Sequence, residues 1–198
     1  MSYEVVLVDA GGSNIGSVRY ALERLGVHAE LTSDAGAIRA ARHVILPGVG
    51  AAAPGMRRLR EAGLVEVIRG LTQPVLGVCL GMQLLFEASE EGDTACLGAI
   101  PGTVKHFPQY RNVRIPHMGW NALRLEREHV LFDGIRDGAH AYFVHSYAAP
   151  TGDDTLASAE HGDRFTAVVQ RGNFYGMQFH PERSGAVGAR LLANFLAL

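Results

Sequence analysis

Residues 74–85 read PVLGVCLGMQLL, and the fold turns on how this stretch divides. A short apolar run opened by Pro74 passes through Gly77, Cys79 and Gly81 into "GMQLLFEAS" (81–89), read as helical. Strand, Gly-x-Cys-x-Gly and helix in that order make the arrangement of a nucleophile elbow. Glycines flank the central residue because so sharp a turn leaves no room for Cβ atoms. A thiol at this point lies at a helix N-terminus, where unpaired N–H groups and the dipole favour thiolate. The next amide, Leu80 N–H, is placed to donate to an oxyanion. The same residues also suit a tight strand–helix turn around a packed, unreactive cysteine, and the stretch alone leaves both readings open.

Working outward, "EVVLVD" (4–9), "HVILPGVG" (43–50) and "PVLGVC" (74–79) are short continuous apolar runs closed by Gly, Pro or Asp. Strands buried on both faces look like this. Between them, "NIGSVRYALERLG" (14–26) and "GMRRLREAGLVEVIRGL" (55–71) carry apolar residues at helical spacing. The first half therefore reads βαβα, which predicts a parallel sheet with right-handed crossovers. From about residue 100 the runs become short and strand-like, "GTVKHF", "IPHMGWNALRLE", "AYFVHSYAA", "LASAE", "FTAVVQRG" and "FYGMQFH", predicting antiparallel additions to the sheet. Val187, Leu191 and Phe195, one turn apart, predict a closing helix. The expectation is one α/β domain over 1–198, three layers thick, with a mixed, mostly parallel central sheet and helices on both faces.

Composition fits this. The 198 residues, 47% of them apolar, are enough for one substantial core. Two cysteines far apart and no charged-then-apolar leader predict free thiols and a cytoplasmic protein. No stretch approaches the ~18 to 20 uninterrupted apolar residues of a membrane span; "HVILPGVGAAAPGM" is cut by two prolines and three glycines. A net charge of −2 gives no general attraction to nucleic acid, and the basic run Arg57-Arg58-Leu59-Arg60 meets Glu61 at once. It reads as a solvated or partner-facing helix surface.

The triplet CLG recurs at Cys96, but acidic, turn-rich "SEEGD" precedes it and Pro101 follows, so Cys96 reads as an inert thiol. A cysteine nucleophile needs a base, and the base a partner to hold its tautomer. "FYGMQFHPERS" (174–184) offers His180 and Glu182, two residues apart. If the chain stays extended through Pro181, both side chains share one side.

Through the Cys79 elbow and the His180-Pro181-Glu182 run, the chain resembles the class I, or triad, glutamine amidotransferases. Within that family, "LPGVGAAAPGMRRLR" (46–60), "PVLGVCLGMQLLFEASEEG" (74–92), "RIPHMGWN" (114–121), "YFVHSY" (142–147) and "YGMQFHPERS" (175–184) are similar to the glutaminase subunits of imidazole glycerol phosphate synthases. The resemblance implies glutamine hydrolysis to glutamate and ammonia through a Cys79 thioester, with His180 as base and Glu182 as its partner. It implies an oxyanion hole of Leu80 N–H and, after a peptide flip, Val49 N–H. Gly48 and Gly50 would make that flip cheap. It implies glutamine held by the Gln83 side chain and by backbone of Gly50, Ser146 and Tyr147. It also implies a partner, a (β/α)8-barrel cyclase subunit that receives the ammonia, met by Asn14, Met118, Trp120, Tyr142 and Arg183. Met118 and Trp120 read as sitting in a loop-like stretch, where such residues serve as interface anchors, though Trp120 also suits a core or cleft. Two positions depart from the family: Arg183 stands where lysine is usual, and Ser13 replaces the second glycine of the first loop.

Other chemistries fit less well. "DAGGSNIGS" (9–17) lacks the glycine spacing of a dinucleotide loop and the lysine of a P-loop. The nine histidines include no metal-ligand spacing. No cofactor and no metal are expected. The glutaminase of another synthase, such as anthranilate synthase, is disfavoured by Met82, since that elbow usually has histidine there. A stand-alone cysteine hydrolase or a thiol sensor would share the elbow without the partner.

Overall fold

The computed structural model describes residues 4–9, 15–108 and 113–198. The chain runs β1 (Val5–Val8), α1 (Ile15–Arg24), β2 (Ala29–Thr32), α2 (Ala35–Ala40), β3 (His43–Gly48), α3 (Ala52–Glu61), α4 (Val65–Arg69), β4 (Val75–Cys79) and α5 (Leu80–Leu85). Then follow β5 (Phe86–Ser89), β6 (Thr94–Ala95), β7 (Ile100–His106), β8 (His117–Ala122), β9 (Arg124–Leu125), β10 (His140–His145), β11 (Tyr147–Ala148), β12 (Thr155–His161), β13 (Asp163–Arg171), β14 (Phe174–Met177) and α6 (Gly185–Leu196).

The main sheet has the order β2-β1-β3-β4-β14-β13-β12-β9. Its β2-to-β14 half is parallel and the remainder antiparallel, as the change of pattern near residue 100 predicts. The continuous apolar runs are explained by alternation between two cores. Val5, Leu7, Ile45, Leu76 and Val78 pack on one face with Leu22 of α1 and Leu191, Leu192 and Phe195 of α6. Val6, Val8, Val44, Leu46 and Val75 pack on the other with Ile38 of α2, Met56 and Leu59 of α3 and Ile68 of α4. A strand covered by helices on both sides has no polar phase to show. The α6 face holds as read, with Leu191 and Phe195 fully buried and Val187 packed at its margin.

Two smaller sheets flank this body, β11-β7-β5-β6 and the antiparallel pair β10-β8. They bring two corrections. Residues 86–89 are strand, not the continuation of a helix: α5 stops at Leu85, and Phe86 and Ser89 pair in parallel with Ile100 and Val104. The stretch carrying Met118 and Trp120 is strand β8, in line with its strand-like run and not with the loop-like reading, paired across Trp120↔Tyr142 and Met118↔Val144.

The parallel strands β3, β4 and β14 end side by side, with Gly48 opposite Cys79 and Met177 opposite Val78. Their carboxyl ends form a crevice, the usual ligand position in an open α/β sheet. No helix among the described residues is long and apolar enough to cross a membrane.

Candidate active site

Cys79 ends β4 and caps α5 with φ 53° and ψ −110°, a left-handed conformation that a non-glycine residue holds only under constraint. The constraint is close packing of the elbow. A Cβ on Gly81 would stand 1.8 Å from Leu46 O, and one on Gly77 2.6 Å from Gly81 C. A Cβ on Gly48 would lie 2.8 Å from Gly81 N, so β3 is pressed against the elbow and needs glycine there. The thiol is thereby lifted off the strand end into the crevice, where Val144 O and Gln178 Nε2 each lie 3.9 Å from its sulfur.

His180 follows β14, with Nδ1 2.8 Å from Glu182 Oε1, and both side chains are almost fully buried. The chain does not stay extended through Pro181. Pro181–Arg183 form a 3-10 turn, and the turn delivers Glu182 to the ring. With Nδ1 engaged, Nε2 is the ring nitrogen left for Cys79, which lines the same cleft. Burial alone would lower the His180 pKa, but its hydrogen bonds to Cys79 and Glu182 and their charges outweigh it, raising it to about 10. The backbone of His180 is clamped as well: its N–H donates to Tyr142 O at 2.9 Å, while Ser184 Oγ donates to His180 O at 2.7 Å and accepts from Tyr142 N at 2.9 Å.

These groups face a cleft of about 390 Å³ lined by Val49, Gly50, Leu80, Gln83, Ser146 and Tyr147 together with Cys79 and His180. All of the residues expected at an oxyanion hole and substrate site are thus gathered at one place. Gly50, with φ 99°, turns the chain after β3. Gln83 is buried, and its amide donates to Tyr147 O at 2.8 Å and Gln178 Oε1 at 2.9 Å. Both hydrogens are therefore used within the protein, leaving Oε1 to accept.

Sequence reading missed Gln178 and Glu91. Gln178, fully buried between Met177 and Phe179, shows only as a polar residue inside an apolar run. Glu91 lines the cleft and caps α3, its Oε2 accepting from Ala52 N at 2.7 Å. The acidic run "SEEGD" carries it, but the partner lies 39 residues away.

Met118 and Trp120 stand 58% and 57% exposed, on the same face of the β8–β10 pair as Tyr142. The Trp120 and Tyr142 rings meet edge to face at 5.8 Å, and the Arg183 guanidinium lies 4.8 Å over Tyr142. Arg183 also lines the cleft, so this apolar face adjoins it. Asn14 and Ser13 lie outside the described residues. Cys96 is away from the cleft, buried with Sγ 3.5 Å from Thr94 O, and burial pushes its thiol up to about 11 despite Arg60 nearby. Among the described residues no cluster of three His, Cys, Asp or Glu side chains could hold a metal ion.

The glutamine amidotransferase class-I family matches residues 6–198. The chain is 59% identical to imidazole glycerol phosphate synthase subunit HisH of Xanthomonas axonopodis pv. citri, over 98% of each chain. It is 58% identical to the protein of the same name from Xanthomonas euvesicatoria pv. vesicatoria, again over 98% of each. A crystal structure of a glutamine amidotransferase superposes with a TM-score of 0.75 at 22% identity, covering 98% of this chain and 97% of the other.

Proposed function

The chain belongs to the class I glutamine amidotransferases, and from that premise we propose how it works as the glutaminase subunit of an imidazole glycerol phosphate synthase, an enzyme of histidine biosynthesis. Cys79 is the nucleophile, His180 its acid and base, and Glu182 the residue that holds His180. The observation that carries this reading is the Cys79 elbow facing a His180–Glu182 pair inside one cleft.

His180 takes the thiol proton as Cys79 attacks the side-chain amide carbon of glutamine. The oxyanion is met by Leu80 N–H and by Val49 N–H once that peptide faces it. Collapse breaks the C–N bond, and His180 gives its proton to the departing ammonia. The freed imidazole then takes a proton from water, which attacks the thioester and releases glutamate. Gln83 Oε1 and the Glu91 carboxylate supply acceptors for the substrate ammonium, while backbone of Gly50, Ser146 and Tyr147 fixes its other end.

Ammonia then passes to a (β/α)8-barrel cyclase subunit that docks on the face of Met118, Trp120, Tyr142 and Arg183. That face is exposed, aromatic and contiguous with the cleft through Arg183, as an interface core requires. Full-length identity to synthase subunits removes the support for a stand-alone hydrolase or a thiol sensor. Glutamate release by the wild type, Cys79→Ala and Cys96→Ala, each alone and with the liganded cyclase subunit, tests the reading. Activity must need the partner and vanish only in Cys79→Ala.

A further inference from the structure

We infer that His117 and His145 form a hydrogen-bonded pair that holds the glutamine-binding segment 146–147 from behind, making His117 a positioning residue for substrate affinity although it does not line the cleft. The inference rests on the glutaminase reading above.

The direction of every hydrogen bond follows from one fixed point. Tyr147 O can only accept, so His145 Nδ1, 2.8 Å away, carries the ring proton. In a neutral ring that leaves His145 Nε2 bare, and His117 Nδ1 at 3.0 Å must donate to it. His117 Nε2 is then the acceptor for Asn121 Nδ2 at 3.2 Å. Asn121 spends its other hydrogen on Glu160 O at 2.8 Å and accepts from Ala122 N at 2.8 Å, so the chain ends with its groups satisfied. At the other end Tyr147 O accepts from both His145 and Gln83, and Gln83 in turn donates to Gln178, whose amide faces the Cys79 sulfur.

Cross-strand pairing sets His117 directly opposite His145 on the buried side of β8–β10, the side away from Met118 and Trp120. Burial lowers both rings, His117 to about 4 and His145 to about 3, which agrees with the neutral tautomers that the contacts demand. The consequence is local. Without the His117 donor, His145 Nε2 is left buried and bare, and its ring is free to release Tyr147 O, the anchor shared with Gln83.

His117 also stacks on His161 and Phe143, at 4.2 and 5.0 Å between centroids, so packing must be separated from hydrogen bonding. His117→Phe keeps the ring and loses the donor. His117→Asn loses the ring and keeps a donor, since an asparagine Nδ2 takes the place of Nδ1.

The full chain, in complex with the liganded cyclase subunit, is inactivated with the chloromethyl ketone analogue of glutamine, whose methylene carbon bonds to the Cys79 sulfur as chloride leaves. Its concentration dependence separates half-saturation from the limiting rate, and iodoacetamide reads the thiol alone. His117→Phe is expected to raise half-saturation about tenfold, the size of one lost hydrogen bond. The limiting rate and the iodoacetamide rate should stay within about threefold, and His117→Asn should match the wild type within the same margin. A wild-type value for His117→Phe, or an equal loss in His117→Asn, overturns the inference. A wild type neither saturated by the analogue nor protected by glutamine overturns the glutaminase reading itself. Independently of any variant, long-range 1H–15N spectra at pH 7 must place the proton on Nδ1 of both rings; an Nε2–H tautomer at either overturns the pair.

Discussion

Glu182 Oε1 reaches His180 Nδ1 at 2.8 Å across a 3-10 turn, so imidazole and carboxylate are joined by local backbone rather than by packing of distant elements. Ser184, the residue that opens α6, completes the arrangement by tying the His180 carbonyl to the Tyr142 amide. His180 and strand β10 therefore share one backbone clamp.

Because Glu182 and Cys79 together raise His180, removing either must lower it. In an NMR titration, His180 of the wild type should stay protonated to about pH 10, and it should titrate lower in Glu182→Gln and in Cys79→Ala. The sign for stability is that of a raised group: its contribution is full below the ordinary value of 6.5 and is lost as pH rises through about 10. A wild-type His180 titrating near its ordinary value contradicts this.

Loss of the base or its partner should act on chemistry. His180→Asn and Glu182→Gln are expected to lower kcat for glutaminase by about 10²- to 10⁴-fold, the usual worth of positioned acid–base catalysis. Circular dichroism should show both folded.

The two thiols should differ under native alkylation. At pH 8, iodoacetamide should label Cys79 and spare Cys96, which is 4% exposed and held mostly as thiol by a pKa of about 11. Peptide mapping decides it, and unfolding should equalise the two.

Acid should destabilise the fold through histidines kept neutral. Burial lowers His43, His117 and His145, so their contribution is present above 6.5 and is lost as pH falls, through about 4 for His117 and about 3 for His145. His43, 1% exposed against Phe195, is the simplest to test. His43→Phe should flatten the fall of the unfolding midpoint below pH 6.5, and an unchanged slope would refute the assignment.

The exposed aromatic face should matter only in the complex. Trp120→Ala is expected to leave the isolated subunit's unfolding midpoint unchanged, since its side chain is 57% exposed. It should weaken cyclase binding by about 2 kcal/mol or more if the residue anchors the interface. Calorimetric titration against the cyclase subunit reads this.

The parallel half of the sheet was legible because β1, β3 and β4 are apolar on both faces and stop at Asp9, Gly48 and the Cys79 elbow. The elbow was legible because Gly77 and Gly81 are forced by contacts within a few residues of Cys79 or by β3 beside it. Phe86 was misread because the apolar run of α5 continues into it unbroken, while its strand partner Ile100 lies outside any local window. Gln178, Glu91 and the His117–His145 pair depend on contacts 28 to 99 residues apart, and no single stretch records them. The strand of Met118 and Trp120 was legible as a strand-like run over 115–126, while Pro116 and Gly119 within it also read as loop.

Cleavage of glutamine through a Cys79 thioester is tested most directly by trapping the acylated subunit. Complex supplied with glutamine and the cyclase ligand, quenched in acid during turnover and digested, should yield the 79-containing peptide carrying one glutamyl group, absent from Cys79→Ala and never on the Cys96 peptide. Turnover with full glutamate release and an unmodified Cys79 peptide, or the adduct on Cys96, would contradict the account.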